Sequence, residues 1–343
     1  LASLVDAANS EQGYSQMDLL SEVIGMLQSL KEIKGEWELK CSTVTKSTGC
    51  IAAKLITVGS VYGHEALPPP QAGSRESQSQ VDQGHDHGHN HGHNHGHDHG
   101  HDNEHDHAHD HGHDHAHDNG HEHSHGHAHD HKHQRNLGYI SSMIENSELP
   151  STVKDKSIKV FTELAIAESQ VHGTTLDRVH FHEVGAIDSI IDTVGVVIAL
   201  HLLEIDAVMC SKIPLSQGTV WTEHGLLPVP APATLNLMRG FITTPGPKFA
   251  TGELVTPTGA SLLRVLCGFP SLALSPDSSS TQSPFQGGPP PEGFRISAIG
   301  IGAGTKEFEK HPNILRAMIG ELPESSLPVS RSAPRLWQEK ELT

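Results

Sequence analysis

Val179-His180-Phe181-His182-Glu183-Val184-Gly185-Ala186-Ile187-Asp188-Ser189-Ile190-Ile191-Asp192 sets two imidazoles and three carboxylates among side chains that a packed core would take up. The period of the stretch changes in its middle. His180 and His182 alternate with Val179 and Phe181, so an extended backbone turns both rings to one face and the apolar groups to the other. Glu183 lies just beyond them. From about Ala186, Ile187, Ile190, Ile191, Val194 and Val197 follow helical spacing, and Asp188 and Asp192 fall at i and i+4 on one helix face. A strand end and a helix start are thus expected to converge with mixed nitrogen and oxygen donors, a set suited to a borderline divalent ion such as nickel, zinc or manganese. A single histidine here would read as a strand cap, and two aspartates as a solvated helix face. Ionisable groups interleaved with residues that must be buried cost several kcal/mol each unless partnered, which favours a metal site. His180, His182, Glu183, Asp188 and Asp192 are therefore the candidate catalytic and metal-holding residues.

Outward from this stretch the chain alternates helices and strands. Met17 to Leu30 has amphipathic helical spacing, with Leu19, Leu20, Val23, Ile24, Leu27 and Leu30 as its stripe. Residues 36–46 and 50–58 read as two strands across a turn at Ser47-Thr48-Gly49. A short helix at 136–146 and a long one at 151–171 are separated by the break Asn146 to Pro150, with Ser151 as the expected N-cap. These elements predict an α/β fold, with α+β as the other reading, in two small α/β domains separated by a disordered His-rich loop. The expected boundaries are an N-terminal α/β part at 1–63, the loop at 64–135, an α/β metal and nucleotide-substrate domain at 136–270, a Pro/Ser/Gly-rich linker at 271–292, a C-terminal strand pair at 293–322 and a tail at 323–343.

Between His85 and His133 histidine takes nearly every other position, with Gly, Asp, Asn and Ala as the usual spacers; twenty-three of the chain's 30 histidines lie there. Without a large apolar side chain the tract cannot offset the entropy of ordering, so it reads as a flexible tether. Neutral imidazole binds late first-row divalent ions well, and nickel, copper and zinc would bind best. His85, His87, His89, His91, His93, His95, His97 and His99 are expected to ligate metal in weak, exchangeable sites that suit capture and hand-over. A low-complexity expansion with incidental metal affinity is the other reading of the tract taken alone.

Composition narrows the rest. The formal charge of −18 treats histidine as neutral, and partial protonation of the tract offsets some of it. An acidic chain without a basic stripe argues against a nucleic-acid partner. The longest apolar run, Val194 to Leu203, is interrupted by Gly195 and His201 and is too short to span a bilayer, so no membrane partner is expected. Cys41, Cys50, Cys210 and Cys267 show no C-x-x-C spacing and no disulfide framework, which points to a reducing, cytoplasmic compartment, an organelle being the alternative.

Two loops look built for an anion. Ser216-Gln217-Gly218-Thr219, followed by Glu223-His224-Gly225, offers backbone amides, hydroxyls and an imidazole. Gly252 to Ala260 reads as a loop into a helix, with Thr256 as N-cap, Pro257 at the first helical position, and Thr258 and Gly259 supplying amides that favour a phosphate or carboxylate. Ser216, Gln217, Gly218, His224, Thr256, Thr258 and Gly259 are the candidate cofactor-binding residues. Taken singly, each loop reads more simply as an ordinary turn or helix start.

Five motifs in order carry a family resemblance: Ala167 to Gly173, Val179 to Asp192, His224 to Ala233, Gly252 to Ala260, and Gly300-Ile-Gly-Ala-Gly-Thr305 with Pro312-Asn-Ile-Leu-Arg316. Together they resemble the LarC-type nickel insertion proteins, whose His-rich loop lies at the same place, and the likeness covers most of the chain outside the tract. The resemblance implies a nickel chelatase that inserts nickel into a pyridinium bis-thiocarboxylic acid mononucleotide, forming carbon–nickel and sulfur–nickel bonds, to make the nickel-pincer nucleotide cofactor of lactate racemase and related enzymes. It also implies the use of CTP and of manganese or magnesium, in a separate C-terminal domain or chain that is expected beyond Thr343, and a homo-oligomer. The family's Ser-Gly-Asp-Met opening strand is likewise expected to lie before Leu1.

The rival from another class is a non-catalytic nickel storage or delivery metallochaperone. It accounts for the tract but not for the second cluster or the loops. A metal-dependent hydrolase using His180, His182 and Asp192 around an activated water ranks last, since the chain has no H-E-x-x-H helix.

Overall fold

The computed structural model describes residues 1–8, 15–46, 50–61, 135–179, 181, 186–222, 224–248, 250–274, 287 and 290–323. The histidine tract, His180, His182, Glu183 and the turn expected at 47–49 lie outside the described residues.

Helix α1 (Ala2–Ala7) precedes α2 (Gln16–Leu27), which opens on a reciprocal cap: Ser15 accepts from Asp18 N while the Asp18 carboxylate accepts from the Ser15 backbone. Leu19, Leu20, Val23 and Leu27 of α2 are buried, as their spacing predicts. Strands β1 (Trp37–Lys46) and β2 (Ile51–Ser60) pair antiparallel from Trp37↔Ser60 to Lys46↔Ile51. Helix α3 (Leu137–Glu145) is capped by Asn136, whose Oδ1 accepts from Tyr139 N at 2.9 Å.

The long helix α4 (Ser151–His172) departs from expectation at its start. Ser151 is already helical and Pro150 holds the cap position without a side-chain bond. The Pro150 carbonyl accepts from both Val153 N and Lys154 N at 3.0 Å, so the first helical bonds close one residue before the serine. At its other end α4 stops at Gly173, whose φ of +60° is the left-handed conformation that glycine adopts without a Cβ penalty, and Thr174 N closes on Ser169 O at 3.0 Å.

Helix α5 (Ile187–Leu202) is buried over most of its surface. After it come β3 (Ile213–Leu215), the antiparallel pair β4 (Thr219–Thr222) and β5 (Gly225–Pro228), α6 (Pro232–Leu237), β6 (Thr243–Pro245), which runs parallel to β3, and α7 (Pro257–Leu266). Strands β7 (Arg295–Ala303) and β8 (Ile314–Glu321) pair antiparallel, and β7 lies parallel beside β2, giving the mixed sheet β1-β2-β7-β8. The chain is thus a mixed α/β structure.

Helix α1 packs on this sheet so closely that a Cβ on Gly300 would fall 1.9 Å from Ser3 O; only glycine admits the helix there. Asp6 Oδ2 accepts from Ile301 N at 2.8 Å and holds the same contact from the polar side. Side chains from before and after the tract share one apolar core. Leu19, Val23 and Leu27 of α2 join Ile140 of α3, Phe161 and Leu164 of α4, and Ile190, Val194 and Ile198 of α5, all 1 % exposed or less. Among the described residues no helix is long and apolar enough to cross a membrane.

Candidate functional site

Val179 and Phe181, the apolar half of the alternating stretch, are 1 % and 8 % exposed, so the segment does present one set of side chains to the core. Neither residue lies in a strand, which differs from the extended β-segment expected there. Their neighbours His180, His182 and Glu183 lie outside the described residues, as do His85 to His99.

The two aspartates of α5 take different environments although they sit one turn apart. Asp188 Oδ1 accepts from Ser189 N at 2.8 Å, so this carboxylate is turned back on its own helix start. Asp192 instead lines a pocket of about 270 Å³ together with Val196 of α5, Thr256, Thr258, Gly259 and Leu262 at the start of α7, Ile56 of β2, and Leu1 and Ala2. Its carboxyl group reaches solvent through the pocket, yet the surrounding protein withdraws enough water to push its pKa above the ordinary carboxylate value. Asp188, one turn away, adds to that rise.

Thr256 is the N-cap of α7 that the sequence predicts: its Oγ1 accepts from Gly259 N at 3.1 Å, and Pro257 takes the first helical position. The first-turn amides of a helix have no partner inside it, and its dipole favours an anion there. Asp192 and the Thr256, Thr258 and Gly259 helix start, 64 to 67 residues apart in sequence, thus meet at one concavity.

The second expected loop does not line this pocket. Gln217 bridges Thr251 and Gly252 N donates to Gln217 O at 3.0 Å, so Gln217 braces the residues leading into Thr256, while Gly218 O accepts from Val229 N at 3.1 Å and Ser216 is buried. Lys306 completes this brace, donating to Thr251 O at 2.9 Å. Gly252 beside it has a φ of +82°, the left-handed region that accounts for the glycine. Sequence reasoning passed over Lys306; its position directly after the Gly300 to Thr305 motif was the available signal.

His224 also takes a different place from the one expected for a phosphate ligand. It sits at the turn between β4 and β5, with its backbone N donating to Thr222 Oγ1 at 3.1 Å, and its ring lies against that of His172, centroids 4.8 Å apart and planes tilted by 54°. His172 Nε2 is in turn 3.5 Å from Glu168 Oε2, one turn back on α4. His172 was another residue the sequence reading did not single out. Among the described residues no three His, Cys, Asp or Glu side chains form a group that could hold a metal ion.

No solved structure matches the chain. A family model described as nickel insertion protein matches residues 15–339. The chain belongs to the nickel insertion protein family. A Geotalea daltonii relative is 44% identical over 191 residues, covering 56% of this chain and 44% of its own length. A Desulfitobacterium hafniense protein named pyridinium-3,5-bisthiocarboxylic acid mononucleotide nickel insertion protein is 42% identical over 191 residues, 55% of this chain and 42% of the relative. A Geobacillus kaustophilus protein of the same name is 40% identical over 209 residues, 61% of this chain and 45% of the relative. This nickel insertion family member therefore spans less than half the length of these relatives.

Proposed function

We propose that the chain carries the nickel-inserting part of an enzyme that builds a nickel-pincer nucleotide, of the kind used by lactate racemase, from pyridinium-3,5-bisthiocarboxylic acid mononucleotide. The observation that carries this reading is the meeting of Asp192 with the start of α7 in one pocket, in a chain whose relatives bear that substrate in their names.

The substrate's chemistry matches the pocket's two halves. Its phosphate is suited to the dipole and the Thr258 amide at the start of α7, where the Gly259 amide is already taken by the Thr256 cap, and its cationic ring to the Asp192 carboxylate. Thiocarboxylates at ring positions 3 and 5 flank position 4, so a nickel ion bound by both sulfurs lies over that carbon. Forming a carbon–nickel bond there releases the ring proton. Asp192, whose proton affinity is raised by its surroundings, is the group we assign to accept it. His180, His182 and Glu183 are assigned to present the nickel, with Asp188 at the edge of that set, and the tract His85 to His133 to collect it. Gln217 acts by bracing the approach to Thr256. CTP and manganese or magnesium belong to this reading through the family resemblance. Among the described residues no group of three or more His, Cys, Asp or Glu side chains fits such a metal.

The test is nickel transfer to the mononucleotide by the full-length protein, followed by the absorbance of the product. His180→Ala combined with His182→Ala should abolish transfer at every nickel concentration, whereas deletion of 85–133 should raise the nickel needed and leave the rate at saturating nickel unchanged. Full activity in the double-histidine variant would end the assignment. A storage or delivery protein, the reading favoured by the tract, predicts nickel binding without any transfer.

A further inference from the structure

We infer that Cys210 and Cys267 form a reversible disulfide, a modification site that fastens the end of α7 to the segment entering β3. The inference stands apart from the nickel-insertion reading. Cys210 is half-buried, and Cys267, the C-cap of α7, is fully buried. Their side chains hydrogen-bond to each other. Sulfurs in such contact close to a bond of about 2.0 Å by side-chain rotation, whereas thiols on well-separated backbones cannot be bridged without moving the chain.

The neighbouring contacts bring the two backbones together independently of the thiols. Ile213, three residues after Cys210, donates its N–H to Ile242 O at 3.0 Å. Phe241, next to Ile242, packs its ring against that of Phe269, two residues after Cys267, with centroids 4.1 Å apart. Cys210 O accepts from Gly287 N at 3.1 Å, and Gly287 lies against the Ile242 side chain. Past Cys267 the chain turns back over the end of α7, where Phe269 N donates to Arg264 O at 2.9 Å. Both cysteines are thus carried on backbone that is fixed around one point.

The two sulfurs are not equivalent, and this orders the chemistry. The hydrogen bond from the Cys267 thiol lowers the pKa of Cys210, while the same bond, and then burial, push that of Cys267 up. Cys210 is therefore the attacking thiolate and Cys267 the resolving thiol. With a small-molecule disulfide as oxidant, Cys210 attacks one of its sulfurs, forming a mixed disulfide and releasing one thiolate, which takes up the proton that Cys210 gave up. Cys267 then attacks the Cys210 sulfur and expels the second small thiolate, which takes the Cys267 proton. Two cysteine thiols are oxidised and one small disulfide is reduced to two thiols. The ring closed from 210 to 267 takes in β3, the β4–β5 hairpin, α6, β6 and α7, including the α7 start that lines the Asp192 pocket. A bond that small thiols open again is the form compatible with a reducing compartment.

Incubation of the full chain with oxidised glutathione, followed by acid quenching, blocking with N-ethylmaleimide and tryptic mass spectrometry without reductant, tests the inference. Cys210 falls in the peptide 179–212 and Cys267 in 265–295, so the bond is read as one linked pair that dithiothreitol separates. Exposed Cys50 should carry glutathione under the same conditions, which shows that the oxidant is at work. The oxidised chain should melt about 5 °C or more above the reduced one, as expected from closing a long ring in the unfolded chain. In Cys267→Ala the linked pair should give way to glutathione resting on Cys210, and in Cys210→Ser the buried Cys267 should stay unmodified. Glutathione resting on Cys210 of the parent without closure, or neither cysteine oxidised while Cys50 is, would overturn the proposal. So would a link from either residue to Cys41 or Cys50, or a linked pair that leaves the melting temperature unchanged or lowered, since the bond then forms outside the native packing. The parent chain gives all of these readings, so a variant that fails to fold cannot hide the result.

Discussion

Replacing Glu163 by Ala is expected to destabilise the fold by about 4 kcal/mol, because it strands a buried guanidinium. Glu163 on α4 and Arg264 on α7 are 6% and 4% exposed. Arg264 Nε donates to Glu163 Oε2 at 3.2 Å, and the same oxygen accepts from Leu272 N at 2.8 Å. The remaining guanidinium donors go to carbonyls: NH1 to Leu237 and Arg239 at 2.9 Å, and NH2 to Pro270. Glu163 Oε2 and all three guanidinium nitrogens are thus engaged, and four stretches of chain are tied at one point. Breaking a buried pair by removing one partner costs about 3–5 kcal/mol, and an orphaned Leu272 amide adds about 1 kcal/mol. Against a total stability of about 5–15 kcal/mol that loss is severe. Glu163→Gln keeps an acceptor oxygen and should lose about 2 kcal/mol. The double change Glu163→Met with Arg264→Leu should recover part of the loss of either single change, but not all of it, since the carbonyls of Leu237, Arg239 and Pro270 lose their donors. Urea unfolding, compared at constant slope, measures all four proteins. Shifts below about 1 kcal/mol in both single variants, or a double variant worse than their sum, would refute the argument.

For Asp192, the raised pKa and the assignment as proton acceptor together give a sign: the working form is the carboxylate, so nickel transfer should fall as the pH drops through a value above the ordinary range near about 4. Asp192→Asn should remove this acid limb, and a limb unchanged in position would assign the proton to another group. Thr256→Val removes the α7 cap and should cost about 1 kcal/mol in urea unfolding, with weaker binding of the mononucleotide by calorimetry. Lys156 is half-buried, and burial, followed by the nearby Lys159, lowers its pKa to about 8. The unfolded chain therefore binds more protons above that value, so stability should rise with pH from about 8 to about 10. In Lys156→Met that rise should vanish from the pH dependence of the melting temperature.

What this sequence shows by itself is set by the range of the forces involved. A helical stripe, a cap and a strand alternation are each written within a few residues, because the hydrogen bonds and burial that select them are local. The period of Leu19, Val23 and Leu27, the alternation of Val179 and Phe181, and the cap at Thr256 were legible for this reason. Ser151 was not, because a proline carbonyl and a serine hydroxyl compete for the same amides, and their register is settled by how α3 hands the chain to α4. The motifs also carried the family. What packing alone decided is which distant pieces face each other. Asp188 and Asp192 are equivalent on a helical wheel, and only the approach of α7 to α5 turned one toward the pocket and left the other on its own backbone. His224 reads as a partner of Ser216 along the chain, yet the β4–β5 turn carries it to His172. Pairing of this kind depends on side chains tens of residues apart sharing one core, a property no short window of sequence contains.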